Sequence, residues 1–420
     1  MKSHKTNAEP LIIIGLLFFI FGFVTWVNSV LIPYLQIACQ LNNFQAYLVA
    51  FAFYISYFVM AVPSAGILKK TGYKKGMSLG LLLVAVGSVI FVPAAIYRTY
   101  FIFLIGLFVQ GAGLAVLQTA ANPYVTILGP EESAARRMSI MGVCNGIAGI
   151  LAPAILGAII LNNADALTEQ LAHLTGTAKQ AKLDMLASKV IFPYCIIAFI
   201  LIVLAVIIYR SVLPDINESE ETSDFVDTLP AKTSIFNFPH LLIGVFTLFL
   251  YVGVEVIAGN TIIRYGTYQG IPLSTAKFFT SFTLTGMLAG YLIGIICIPK
   301  YLTQQTALKY SAVFGIFFAL IALATHGFVS VMFVALLGLA NSLMYPSIWP
   351  LAIGGLGRFT KIGSSFLVMA ISGGALLPLL YGWLADNFNP QQAYWLVIPC
   401  YAVIGYYAIA GHKVGRITGS

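Results

Sequence analysis

Charge is scarce in this chain. Asp, Glu, Lys and Arg make up 9% of its 420 residues, where soluble domains carry roughly 25%. A water-soluble fold this poor in charge has nothing to cover its surface with, so that class is excluded. Cysteine is scarce too. Cys39, Cys144, Cys195, Cys297 and Cys400 each sit in an apolar run, no two are close, and the number is odd. That pattern argues against a disulfide framework or a zinc site and leaves small buried hydrophobes as the plain reading. No histidine falls mid-run: His4, His173, His240, His326 and His412 lie near predicted helix ends or in loops, which argues against a histidine proton relay. No nucleophile with a base, and no metal cluster, falls deep in an apolar run, so an intramembrane enzyme is disfavoured and no cofactor is expected. The basic residues form no patch apart from the helix ends, so nucleic acid is not an expected partner.

What the chain does have is apolar length. Hydrophobic residues reach 60% and the mean hydropathy is +0.93. Crossing a bilayer as a helix takes about 20 such residues. Twelve segments qualify: 10–37, 44–68, 76–96, 100–128, 138–161, 190–209, 241–265, 276–298, 307–324, 329–353, 363–385 and 394–410. The expectation is an all-α membrane protein of twelve transmembrane helices. Lys2 and Lys5 precede the first run, which has no small-residue cleavage site and reads as a retained helix.

With the N-terminus inside, sixteen of the 22 Lys and Arg fall on the cytoplasmic side and six outside. That bias predicts cytoplasmic termini and an even number of spans. The net charge of +8 is therefore a topology signal. The stretch 211–240 is acidic, with Asp215, Glu218, Glu220, Glu221, Asp224 and Asp227, and reads as a solvated cytoplasmic linker between a first half, 1–210, and a second, 241–420. The hydrophilic stretch 162–188 is external and helix-prone, and is expected to cap the fifth and sixth helices.

The halves echo each other. Gly149-x-x-x-Pro153-x-x-x-Gly157 recurs as Gly374-x-x-x-Pro378-x-x-x-Gly382, 225 positions later. Gly113-Leu114-Ala115 recurs at the same offset as Gly338-Leu339-Ala340, Pro123 recurs as Pro346 at 223, and Gly66 as Gly294 at 228. Each match alone is weak, and each glycine alone reads as helix packing. The agreement of offsets points to a duplicated six-helix unit, and parallel repeats of that kind place a substrate site near the midplane between them.

Polar groups in hydrocarbon are costly and are functional candidates by default. In the first half they are Asn28, Ser29, Gln118, Asn122 and Asn145; in the second, Glu255, Asn260, Asn341, Tyr345 and Ser364. Gln118 and Asn122 are four apart and share a helix face just before Pro123, whose ring frees a backbone carbonyl. Amides donate and accept, as sugar hydroxyls do. Trp26, Tyr251, Tyr345 and Trp349 could pack the apolar face of a sugar ring. The competing reading ties helices together with these amides, and it covers five mid-span amides less well. Glu255 is the one deep acid of 14. A charge at that depth costs on the order of 3 kcal/mol or more. Glu255 can serve as a proton carrier, a cation ligand or an acceptor for a substrate hydroxyl.

The run from Gln118 to Ala121, followed by Asn122-Pro123-Tyr124-Val125-Thr126-Ile127-Leu128-Gly129-Pro130, resembles the helix-four signature of the fucose–galactose–hexose symporter family, within the major facilitator superfamily. Asn28-Ser29-Val30-Leu31-Ile32-Pro33 resembles the family's first-helix motif, Tyr251-Val252-Gly253-Val254-Glu255-Val256 its seventh, and Gly363-Ser364-Ser365-Phe366 its eleventh. The superfamily motif after helix two is degenerate, since Gly66-Ile67-Leu68-Lys69-Lys70 lacks the usual Asp. The resemblance covers nearly the whole chain. It implies a major facilitator fold of two six-helix halves, alternating access, a central monosaccharide site, and symport with H+ or Na+. Members that carry fucose have Asp where this chain has Ser29 and Glu where it has Gln118, both tied to sugar binding and proton coupling. Members that carry glucose and galactose have Gln at the second position and the Glu-containing seventh-helix motif, as here, and usually keep the first Asp. Arg264 also matches the family, at a position that serves gating or anchoring.

The expectation is a carrier of glucose, galactose or a similar hexose in a bacterial cytoplasmic (inner) membrane. Its contacts would be Asn28, Gln118, Asn122, Asn145, Glu255, Asn260, Asn341, Trp26 and Tyr345, with Glu255 coupling the ion. A monomer suffices for this mechanism. Two alternatives stand beside it: an uncoupled sugar facilitator, and an efflux carrier for small amphiphiles, whose site would be apolar and roomy.

Overall fold

A backbone in hydrocarbon must satisfy its own N–H and C=O groups, which makes helices of long apolar runs. The computed structural model describes residues 8–127, 134–161, 169–171, 173–211, 234–298, 301–356 and 359–415, and has no strand among them. It contains twelve helices long and apolar enough to cross a bilayer. In chain order, α1 is Ala8–Cys39. The stretch Asn43–Ile96 is divided at Gly72, whose φ of 75° belongs to the left-handed region, into α2 (43–71) and α3 (73–96). Gly111 packs on Phe53 and Ser56 while Gly113 packs on Gly80 and Val84, so α2 and α3 both pack on the helix that carries these two glycines. Then come α4 (Tyr100–Ile127), α5 (Ala134–Ile160), α6 (Ile191–Arg210) and α7 (Pro239–Asn260). α8 is Leu273–Cys297, α9 is Gln304–Ala324, α10 is Gly327–Ile353, α11 is Ile362–Asn387 and α12 is Gln392–Ile409. Six spans precede the acidic segment and six follow it. The expected linker falls mostly on 212–233, and Gly129 and Pro130 of the helix-four motif fall on 128–133; both lie outside the described residues.

The outer helices present apolar side chains outward. On α6, Phe192, Phe199, Ile202 and Val206 are exposed, as suits a face in contact with lipid tails. The first six spans meet the last six chiefly where α2 packs on α11 and α5 on α8. Exchanging the halves, α2 for α8 and α11 for α5, turns one pair into the other, as a duplicated unit related by a two-fold axis requires. The repeated glycines obey the same exchange. A Cβ on Gly149 would lie 2.6 Å from the Trp26 ring of α1 and 3.1 Å from Leu284 of α8. A Cβ on Gly374 would lie 2.8 Å from the Tyr54 ring of α2 and 3.0 Å from Val256 of α7.

The external helix sits elsewhere than the sequence placed it. It runs Gly176–Ser188 and buries Leu183, Leu186 and Ala187, and its contacts fall on α1 and on the stretch that holds α2 and α3. Tyr34 of α1 donates to the Leu186 carbonyl. Arg98, in the α3–α4 turn, pairs with Asp184 at 2.9 Å. A basic side chain in that turn faces the acidic residue of the helix, which the α5–α6 placement did not anticipate.

Three spans are broken near their polar residues. α7 stops at Asn260, where the Thr261 hydroxyl bonds the Ile257 carbonyl (2.8 Å) and the Tyr394 hydroxyl (2.6 Å). α10 breaks between Asn341 and Met344. Ser342 lies in this break and donates to Leu339 O at 2.8 Å, and it fits only because Gly290 of α8 has no side chain there. α11 breaks between Ala370 and Gly373.

Candidate functional site

Tyr251 and Glu255 are four apart on α7 and share a face. The Tyr251 hydroxyl lies beside the Glu255 carboxyl. Tyr54 of α2, Tyr291 of α8 and Tyr345 of α10 also lie within electrostatic range of that carboxyl. No Lys or Arg pairs with it among the described residues. Glu255 is nevertheless only half-buried. With tyrosines of four helices around it, Glu255 sits toward the middle of the bundle and not on its lipid-facing side.

Aromatic rings line this centre from both sides. On α10, Tyr345 and Trp349 are one turn apart with centroids at 5.6 Å, and Tyr345 lies 6.3 Å from Tyr251. Across from them on α2, Tyr54 and Tyr57 stack at 6.2 Å and 25°. Gln118 of α4 donates through Nε2 to the Tyr57 hydroxyl at 3.1 Å. The structure thus brings Gln118, Glu255 and Tyr345 of the expected set into one group of side chains drawn from both halves. Tyr54, Tyr57 and Tyr291 belong to it and were not expected. The signal for the first two was the spacing Tyr54-x-x-Tyr57 inside an otherwise apolar span.

The remaining amides divide. Asn28 and Asn260 are buried, and neither the oxygen nor the nitrogen of either side chain has a hydrogen-bond partner among the described residues. Asn341 accepts from the Tyr401 hydroxyl at 2.9 Å, while its Nδ2 has no partner. A buried amide left unbonded costs about 1–3 kcal/mol, so Asn28 and Asn260 are poor helix ties, whereas Asn341 joins α10 to α12 through its oxygen alone. Asn122 is buried and Asn145 half-buried, with the Asn145 backbone pressed against Gly22 of α1. Ser364 is half-buried. Ser29 is fully buried and donates to its own helix at Trp26 O, 2.7 Å away, so its hydroxyl is spent on the backbone. Trp26 packs in a separate apolar cluster with Leu284 and Met287, with Tyr291 against that cluster and Gly259 of α7 against the Trp26 ring.

Above the centre, on the side where α1 ends and α2 begins, the halves are stitched together. The Phe44 N–H at the start of α2 donates to Asp386 Oδ2 at the end of α11, 2.6 Å away. Tyr47 meets Tyr381 edge-on at 5.7 Å, and the Arg264 guanidinium lies 5.5 Å from the centre of the Tyr47 ring. Arg264, in the short helix Ile262–Tyr268 after α7, therefore bridges to the first half.

Comparison with known proteins fits this architecture. The profile of the Major Facilitator Superfamily matches residues 14–365. The glucose/galactose transporter of Brucella abortus biovar 1 (strain 9-941) is 36% identical over 416 residues, covering 98% of this chain and 96% of that protein. The L-fucose-proton symporter of Escherichia coli (strain K12) is 33% identical over 413 residues, covering 97% and 94%. Among solved structures, the major facilitator transporter FucP in its outward conformation superposes with a TM-score of 0.75 at 30% identity, covering 99% of this chain and 100% of that one. With twelve spans, a six-helix repeat and a polar centre shared by both halves, the chain belongs to the Major Facilitator Superfamily and, within it, to the fucose–galactose–hexose symporter family.

Proposed function

We propose that this protein carries a neutral monosaccharide, glucose, galactose or a similar hexose, by alternating access in symport with protons. The observation that carries the proposal is the central group itself: Gln118, Tyr57 and Tyr54 on one side, Tyr251, Glu255, Tyr345 and Trp349 on the other. Hydroxyl and amide groups match the hydroxyls of a sugar, and the flat rings match its C–H face. Each half holds part of the ligand, so rocking the halves, 1–210 against 241–420, exposes it to one side and then the other.

Glu255 is the group that takes the proton. It is the one deep acid in the sequence; of the two positions tied to coupling in fucose carriers, Ser29 is a hydroxyl engaged with Trp26 and Gln118 is an amide. A proton taken from one side is released to the other only if Glu255 protonates differently in the two states. The names of relatives, a glucose/galactose transporter and an L-fucose-proton symporter, support both the substrate class and the proton. Na+ would need several oxygen ligands, and Glu255 is the one deep acid to supply a charged one. The buried amides Asn28 and Asn260, and the unbonded Nδ2 of Asn341, disfavour an amphiphile carrier, whose pocket would be apolar. The whole site lies within one chain, so a monomer suffices. The distribution of Lys and Arg supports cytoplasmic termini in a bacterial cytoplasmic membrane.

Uptake of radiolabelled glucose into proteoliposomes, with an imposed proton or sodium gradient and a panel of competing sugars, tests the proposal. Proton-driven accumulation competed by hexoses is expected. Uptake that ignores every sugar in the panel would remove the assignment.

A further inference from the structure

A primary amide has two unlike ends: the NH2 only donates and the carbonyl oxygen only accepts. Which end faces a ligand decides what the ligand must offer. In Gln118 the donating end is taken, because Nε2 bonds the Tyr57 hydroxyl oxygen at 3.1 Å. Oε1 is the end left over, and it has no partner among the described residues. Gln118 keeps partial exposure beside the central group, so that oxygen is within reach of a bound molecule.

Tyr57 is well placed to hold the amide still. Its side chain is 1% exposed. The ring meets Phe53 edge-on at 6.2 Å and stacks on Tyr54 at 6.2 Å. Tyr54 is in turn backed by Gly374 of the other half, where a Cβ would come within 2.8 Å of its ring. The hydroxyl that receives Nε2 is thus carried by a ring that cannot swing away.

We propose that Tyr57 is a positioning residue. It fixes the Gln118 amide so that an acceptor alone meets the sugar, and so makes the site demand a hydroxyl hydrogen at one position of the ring. This rests on the monosaccharide reading above. A site that needs a donor rejects a ligand that cannot donate, because its own acceptor is then left unbonded.

The test uses glucose analogues in which one hydroxyl at a time is replaced by fluorine, a group of similar size that cannot donate. Each is measured as a competitor of glucose uptake in proteoliposomes. For the wild type, one ring position should show an affinity loss of about tenfold or more, the scale of one lost hydrogen bond. Tyr57→Phe keeps the ring and removes the hydroxyl. The freed amide can then turn its NH2 to the fluorine, so the penalty at that position should fall to within about threefold while the others stay as they were. A second variant keeps the test decisive should Tyr57→Phe fail to reach the membrane. Gln118→Glu presents an oxygen in either orientation, with Tyr57 as donor, and should keep the penalty. If the fluorine profile of Tyr57→Phe matches the wild type, or shifts equally at all positions, the inference is wrong. Loss of the penalty in Gln118→Glu overturns it as well, as does a wild type that takes up glucose with no fluorine penalty anywhere. A wild type that takes up no sugar would instead fail the monosaccharide reading itself.

Discussion

Gly149 and Gly374 hold the same place in the repeated unit, and each accepts an aromatic ring, Gly149 from α1 of its own half and Gly374 from α2 of the other. Around Gly149 the ring is Trp26, enclosed by Leu284 and Met287 in an apolar cluster. Around Gly374 the ring is Tyr54, stacked on Tyr57 and facing Glu255. The backbone solution is shared and the chemistry is not. Helix packing constrains small residues wherever two spans touch, so duplication preserves them in both halves. A binding centre has no such reason to stay symmetric, because a sugar has no two-fold axis. The acid therefore sits in one half only, at Glu255 of α7, while its counterpart helix α1 carries Asn28 and Ser29 near the matching position.

Breaking the polar member of this pair should have the largest effect. Glu255→Gln keeps the side-chain volume and removes the proton site. At about 2.3 kcal/mol per charge per 100 mV, a coupled carrier can concentrate its substrate about 50-fold. The variant should lose that accumulation while sugar exchange between equal pools continues. Accumulation equal to the wild type would sink the coupling role.

Adding one methyl to each glycine sharpens the comparison. Gly149→Ala and Gly374→Ala both force a ring to shift, at about 1–3 kcal/mol. Both should lower the thermal midpoint of the purified protein. Only Gly374→Ala, which displaces Tyr54, should also raise the KM for sugar; a matching rise in Gly149→Ala would erase the distinction drawn here.

The next effect lies at the seam between halves. Asp386 accepts the Phe44 N–H from across it, at the positive end of α2. A hydrogen bond to a charged group contributes about 1.5–3 kcal/mol. Asp386→Ala should therefore open that end more often, raising by about tenfold the reaction of an impermeant thiol reagent with a cysteine placed at Asn260. Unchanged labelling would mean that Tyr47, Tyr381 and Arg264 close the seam alone. The smallest effect belongs to Ser29, whose hydroxyl serves its own backbone. Ser29→Ala should leave accumulation within about twofold, the scale of about 0.5 kcal/mol expected of a change that removes no ligand contact.

Much of this was legible in the sequence. Apolar runs fix where spans lie, since hydrocarbon leaves the backbone no other choice. The lysine cluster around Gly72 marked the α2–α3 turn. The breaks in α10 and α11 were not legible, because they arise where Ser342 meets Gly290 and where Gly373 meets the Phe249 backbone, contacts between distant segments. Glu255 and the amides stood out because each is costly in lipid. Tyr54, Tyr57 and Tyr291 did not, because a tyrosine in a membrane helix is ordinary until its neighbours are known. Trp26 and Ser29 were conspicuous in sequence, yet one is a packing wedge and the other bonds its own helix.

The most direct measurement is the external pH of de-energised proteoliposomes when glucose is added. Proton symport requires that protons leave the medium with the sugar, so a glucose-dependent alkalinisation is predicted, absent in Glu255→Gln. Labelled glucose entering with no change in pH would contradict the account.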